Sequence, residues 1–434
     1  MHMKNRKYIK YIGLAIIILL LPALAGFGCR KPNVLKSESY SIKMWGVFDN
    51  SNEVAPFIKS YQNQYPNVRI SYEKKSFDDY EKVLLNELAT GEGPDIFVMH
   101  NTWLPKYQDK ITPAPTSIYP IQEFRDRFVA VAEDDLVADD QIYALPLYID
   151  TLAMYYNFDD YRVTKEGKPS KTWEGFYEDV KRLNVYEENS KILKRSAVAL
   201  GTAHNVNQAV DVIYQLFLQN DVNFYNSKGL VSFASDEGNL AFANYLSFAD
   251  PKSTHYAWQD TRPDDIYEFV NGRVSTIVGY SYLYDQIVAE SRTKGIDFRI
   301  AKMPQVDPEK PVTYADYWAY TAKKMDATKD SARINHVWNF LKMMTLESGA
   351  KSYHDMTKRP SAIRSLLEEQ EKEADFGIFA NQVRYASSIK NYDRNEYNDI
   401  FDEAIDKVIK EGEKPLNALR EASKKVSKIV SAYN

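Results

Sequence analysis

Residues 89–105 read Ala89-Thr90-Gly91-Glu92-Gly93-Pro94-Asp95-Ile96-Phe97-Val98-Met99-His100-Asn101-Thr102-Trp103-Leu104-Pro105. Thr90-Gly91 ends a helix, because glycine takes the left-handed backbone of a helix terminus without a steric penalty. Pro94-Asp95 starts the next element sharply, and Ile96 to Met99 is an apolar run typical of a strand buried on both faces. Upstream, Asp78 to Ala89 spaces Tyr80, Val83, Leu84 and Leu88 as a helix. Val68 to Tyr72 alternates as a strand, Glu53 to Tyr65 spaces Val54, Phe57, Ile58 and Tyr61 as a helix, and Ser41 to Val47 alternates again. Strand, helix, strand, helix, strand predicts right-handed crossovers and a mostly parallel sheet. Ligands of such sheets bind beyond the carboxyl ends of the strands. That position falls to Asn101, Thr102 and Trp103, two hydrogen-bonding side chains and one flat apolar face.

Downstream the α/β style continues. An Asp-Asp turn at 139–140 precedes Ile142 to Leu147 and Thr151 to Tyr156, both extended. Pro146 cannot donate to a ladder, so its stretch is an edge or crossing strand. Helices are expected at 172–183, 208–219, 236–248, 329–345, 397–409 and 415–433, and strands at 274–279, 298–303 and 317–322. Thr172 reads as a helix cap with Glu174 favourable at the helix start, so Trp173 is structural. Trp258, Trp338 and most of the 32 Tyr read as packing residues.

The chain has 434 residues, 44% hydrophobic and 26% charged, with a formal charge of −5. That composition excludes a disordered chain and a polytopic membrane protein, and the absence of a positive field argues against nucleic-acid binding. One Cys excludes an internal disulfide framework or a Cys-rich metal site. No P-loop, complete dinucleotide fingerprint or paired-His metal motif occurs. Gly279-Tyr280-Ser281-Tyr282-Leu283 begins like a nucleophile elbow but ends in Leu. No cofactor and no metal site is expected.

Three stretches stand out together: Ala89 to Phe97 with His100 to Pro105; Ile142-Tyr143-Ala144-Leu145-Pro146-Leu147-Tyr148-Ile149-Asp150-Thr151 with Tyr155-Tyr156-Asn157; and Lys171-Thr172-Trp173-Glu174-Gly175-Phe176. In this order and spacing they resemble family 1 extracellular solute-binding proteins, the group of the maltose-binding protein. The resemblance implies a two-lobed periplasmic-binding-protein fold of type II, with mixed sheets flanked by helices and a helical C-terminal region. It implies a non-enzymatic carbohydrate receptor that closes about a hinge and delivers a sugar or oligosaccharide to the permease of an ABC importer, acting as a monomer. It places the hinge at Tyr143 to Tyr148, and ligand contacts at Asp49, Asn50, Asn101, Thr102, Trp103, Asp150, Tyr214, Tyr280, Tyr282, Tyr317, Trp318, Arg384 and Tyr385. It assigns 40–148 and 284–316 to an N-terminal lobe, and 149–283 and 317–434 to a C-terminal lobe. A secreted glycosidase or lyase and a surface adhesion lipoprotein are the competing readings.

The N-terminus agrees with export. Lys4, Arg6, Lys7 and Lys10 precede an apolar run from Ile12 to Phe27, the layout of a secretory signal. Ala25, Gly26 and Gly28 lead to Cys29, which resembles a bacterial lipoprotein signal with Cys29 as the lipidated first residue, although Gly26 stands where that family prefers Leu. Residues 1–28 are then the signal and 29–39 a tether anchored on the outer face of the cytoplasmic membrane. Loss of those four basic residues takes the formal charge from −5 to −9.

Overall fold

Asp95, the residue that follows Pro94, shows what the quoted stretch is for. Its carboxylate accepts the backbone N–H of Lys43 on the neighbouring strand at 2.9 Å and pairs with Lys323 and Arg333 at 3.3 Å. One side chain thus gathers three segments at the end of the central strand. The computed structural model describes residues 38–190 and 192–433. The expected signal peptide, Cys29 and most of the expected tether lie outside them.

Five strands form the first sheet, in the order Val68–Lys74, Tyr40–Gly46, Ile96–His100, Trp318–Ala322 and Leu145–Pro146. Tyr40–Gly46 runs parallel to Ile96–His100, whose five residues are all buried. Pro146 sits in the edge strand, as its missing N–H requires. Ser51–Gln64 and Tyr80–Thr90 are the two crossover helices, and Gly91, at φ +83°, ends the second. A second sheet places Ala153–Asn157 between Thr276–Gly279 and Phe298–Lys302, antiparallel to both. A third, small sheet joins Asp150–Thr151, Thr313–Asp316 and Ala386–Ser387. Asp139 and Asp140 both take positive φ, as a tight hairpin between Val137–Ala138 and Gln141–Ile142 demands. Trp258 and Trp338 are fully buried packing residues.

Strand pairing reverses the expected lobe division at two segments. Phe298–Lys302 belongs to the second sheet, and Trp318–Ala322 belongs to the first, paired along its whole length with Ile96–His100. The chain therefore joins the second sheet at Phe298–Lys302, because Ala153–Asn157 has two edges to satisfy, and the third at Thr313–Asp316. It crosses back only between Asp316 and Trp318. The C-terminal region is helical except for Ala386–Ser387. Among the described residues no helix is long and apolar enough to cross a membrane.

Thr172 caps Trp173–Leu183 by accepting the Gly175 N–H at 3.1 Å. Thr172→Ala is expected to cost about 1 kcal/mol in denaturant unfolding. An unchanged midpoint would show that the cap contributes nothing.

Candidate functional site

The register pairs Trp318 with His100, so the crossing chain enters the first sheet beside the carboxyl end of its central strand. The Trp318 indole meets Trp103 edge-on at 5.0 Å, His100 at 5.4 Å, Phe48 at 5.5 Å, Tyr80 at 6.0 Å and Phe77 at 6.1 Å between ring centroids. Trp103 stacks on Tyr107 at 5.1 Å and 11°, which fixes its plane. Phe48 and Phe77 are exposed, an unusual state for two neighbouring Phe side chains. Phe77, Tyr80, Trp103 and Trp318 line a cleft of about 770 Å³, together with His100, Lys106, Arg394 and Asn395.

Beside the aromatic rings lies a largely buried charge network. Asp316 contacts His100 Nε2 and pairs with Arg394 Nη2 at 2.7 Å. Arg394 also reaches Asp211 at 3.2 Å, and Asp211 accepts the Tyr280 hydroxyl at 2.8 Å. Lys106, on the cleft rim, bridges Glu81 at 2.9 Å and Asp393 at 3.0 Å. Burial opposes the charge of Asp316, but Arg394 and His100 outweigh it and hold the carboxyl well below its ordinary range. Burial pushes the neighbouring Asp211 upward, against Arg394. Burial also lowers the His100 pKa, against the pull of Asp316, so the imidazole is neutral at pH 7.

A neutral imidazole carries one proton. Facing Asp316, that proton belongs on Nε2, and Nδ1 accepts from Thr102 Oγ1, 2.8 Å away. Thr102 must then accept from Asn391, 2.9 Å away. Turning the Asn391 amide over supplies that donor, the buried Nδ2 that otherwise has no partner. The chain Asn391–Thr102–His100–Asp316 has the hydroxyl–imidazole–carboxylate order of an activated nucleophile. Thr102, however, is 2% exposed, so its hydroxyl positions His100 instead of meeting a substrate.

Of the expected contact residues, Trp103 and Trp318 line the cleft. Tyr282 is 55% exposed, stacks on Tyr280 at 5.9 Å, takes a hydrogen bond from Gln208 and feels the charges of Asp316 and Arg394. The others are turned elsewhere. Asp49 is buried against the hydroxyls of Tyr320 and Tyr353, both at 2.6 Å, and Arg359 at 2.9 Å. Asn50 caps the helix Ser51–Gln64 with Glu53 and is held by Lys74. Asn101 and Tyr317 both donate to the buried Asp135. Asp150 accepts from the Ser281 N–H and hydroxyl, and Tyr280 donates to Asp211. Tyr214 packs on Phe224, Tyr314 and Phe401 inside the second core. Arg384 pairs with Glu371, and Tyr385 lies by Lys302 on a separate groove, so neither closes over the cleft. Sequence reasoning missed Phe77, Tyr80, His100, Asp316 and Arg394. Only Asp316 carried a local signal, a charged residue directly before an aromatic strand.

The sequence pattern described as bacterial extracellular solute-binding protein matches residues 57–380. The chain belongs to that family. The maltotriose-binding protein of Pyrococcus abyssi is 24% identical over 301 residues, covering 66% of this chain and 58% of the relative. A binding protein of Brucella abortus is 21% identical over 267 residues, covering 59% of this chain and 62% of the relative. The chain thus spans about three fifths of these curated relatives. The sugar-binding protein MalE of Xanthomonas citri superposes with a TM-score of 0.73 at 17% identity, over 90% of this chain and 98% of that one. The cyclic α-maltosyl-1,6-maltose binding protein of Arthrobacter globiformis gives 0.74 at 16% identity, over 90% and 99%. This solute-binding protein therefore has the expected α/β fold, the two-lobed architecture of the maltose-binding group, and its family is that of exported proteins.

Burial pushes the Asp150 pKa up to about 6, despite the hydrogen bonds from Ser281. The folded state then holds a proton that the unfolded chain, with an ordinary pKa of about 3.9, has released. The stability this group contributes is present below about pH 4 and lost as pH rises through about 6. Asp150→Asn is expected to flatten the fall in unfolding free energy between pH 4 and 6.5 by roughly 2–3 kcal/mol. An unchanged slope in denaturant titrations would contradict this.

Proposed function

We propose that this solute-binding protein is an extracytoplasmic carbohydrate receptor of an ABC importer. It binds a sugar or oligosaccharide between its lobes and hands it to a membrane permease without altering it. The observation that carries the reading is the aromatic cluster of Trp318, Trp103 and Phe77, which lines one cleft together with Arg394 and Asn395. A pyranose has two apolar C–H faces and a polar rim. Aromatic rings cover the faces, and fixed charged and amide groups read the hydroxyls. The names of similar proteins point the same way, to maltotriose, cyclic maltosyl-maltose and, in a Thermotoga lettingae protein superposing at 0.68, tagatose.

The contact set is Phe77, Trp103, Trp318, Tyr282 and Arg394, with His100 and Asp316 as positioning residues. The lobes meet where the chain crosses near Leu147–Asp150 and Asp316–Trp318, and closure between them expels water from the bonds to the ligand. Cys29, lipidated after removal of residues 1–28, tethers the monomer through residues 30–39 to the outer face of the membrane.

Calorimetry against an oligosaccharide panel tests the reading. Phe77→Ala removes an exposed ring and is expected to weaken the best ligand about tenfold, or about 1.4 kcal/mol. Wild-type affinity in that variant would refute the contact set, and product formation from any panel member would favour a carbohydrate-active enzyme. Binding to no sugar would favour an adhesion role. For the anchor, Cys29→Ser is expected to release the protein from membranes, and full retention would indicate an uncleaved N-terminal anchor.

A further inference from the structure

A second groove, of about 500 Å³, opens on the second sheet and shares no lining residue with the cleft. Its apolar surface comes from Tyr156, Ile300, Met303, Pro308, Ile378 and Tyr385. Lys168, Lys171 and Lys302 stand around it. None of the three is ion-paired with a carboxylate among the described residues. Glu371, whose charge reaches Lys302, is itself engaged by Arg384. Lys302 is held by Asn381 Oδ1, and its ammonium lies 6.0 Å from the Tyr385 ring centroid. Three cations around an apolar floor leave positive charge that folding does not use.

The groove is also built to keep its shape. The loop that forms one wall carries Pro304, Pro308 and Pro311, which limit its backbone freedom. Buried Gln305 clasps it from within, donating to Met303 O at 3.1 Å and accepting the Val312 N–H at 3.0 Å. Gln219 donates to Pro304 O at 2.9 Å, and Gln382 accepts the Met303 N–H at 3.1 Å. The backbone of Gln305 bonds to that of Lys171 at 2.8 Å, fixing the lysine segment against the loop. A preformed apolar concavity of this size is that of a small-molecule site. The adjoining groove shares Tyr156, Ile300, Lys302 and Ile378 but turns acidic at Glu371, Glu373 and Asp375, so an anionic head is directed to the lysine end.

We infer that the groove bounded by Lys168, Lys171 and Lys302 is a second ligand site, which takes a small amphipathic anion. The ligand has an apolar body of one or two rings, or a short alkyl chain, on the Tyr156–Met303–Tyr385 floor, and its carboxylate or phosphate lies among the three ammonium groups. The site is independent of the sugar cleft.

Calorimetry on the full chain with 2-naphthoate as the probe tests this, with 2-naphthamide as its uncharged counterpart. Saturable binding of 2-naphthoate with a Kd below about 1 mM is expected, at least about tenfold tighter than 2-naphthamide. The triple variant K168Q/K171Q/K302Q is expected to lose at least about tenfold in naphthoate affinity. Its titration with maltotriose should match that of wild type, which separates failure of this site from failure of the cleft. The inference is overturned by no saturable binding of naphthoate, by equal binding of the amide, or by an unaffected triple variant. Lysine-dependent sedimentation with phosphatidylglycerol vesicles would overturn it in favour of a membrane-facing surface.

Discussion

A carboxylate with only 10% of its side-chain surface exposed sits where the chain passes from one sheet to the next. Asp316 ends the strand paired with Asp150–Thr151, and two residues later Trp318 starts the strand paired with Ile96–His100. A lone charge at that depth would be unsustainable, and removing one partner of a buried pair typically costs about 3–5 kcal/mol. Asp316 is satisfied from both sides, by His100 on the first sheet and by Arg394 at the start of the helix Arg394–Ile409. That requirement fixes the position of Arg394 in the cleft, the tautomer of His100, and through His100 the hydroxyl of Thr102. The aromatic wall stands on this base, because Trp318 packs against the same imidazole.

The segment before Arg394 repeats the theme. Ser388 bonds to Asp135, Asn391 to Thr102, and Asp393 to Lys106, so a short stretch is stitched to the first-sheet side. The helix it leads into buries Phe401 against Tyr214 and Phe217, among the core of the second sheet. The first-sheet side and the core of the second sheet are thus tied to one strap, and several groups expected to touch ligand are spent on holding it. Asn101, Thr102 and Tyr317 act in this way, and Asp49 and Asp150 do so elsewhere.

Periodicity made the elements legible, because 3.6- and 2-residue repeats report which face is buried, and nearly every expected helix and strand appears. Trp103 was placed at the cleft by following the central strand to its carboxyl end, and Trp318 by the family resemblance. Thr102 was misread because the turn at 101–103 points its hydroxyl at His100 and Asn391, inside the protein. Phe77 and Arg394 were invisible because their roles depend on contacts across hundreds of residues. Sheet membership of 298–302 and 318–322 was reversed for the same reason: two alternating strands of similar composition do not announce their partners. Arg384 and Tyr385 were placed by analogy, and their local contacts lead to another groove.

The proposed receptor seats its ligand on the indole of Trp318 and draws its lobes together. The most direct test is tryptophan fluorescence during titration with maltotriose and other neutral oligosaccharides, in wild type and in Trp318→Phe. A saturable change in wild type that is largely lost in Trp318→Phe, while calorimetry still detects binding, is the predicted result. An undiminished change in the variant would place the ligand elsewhere and contradict the account.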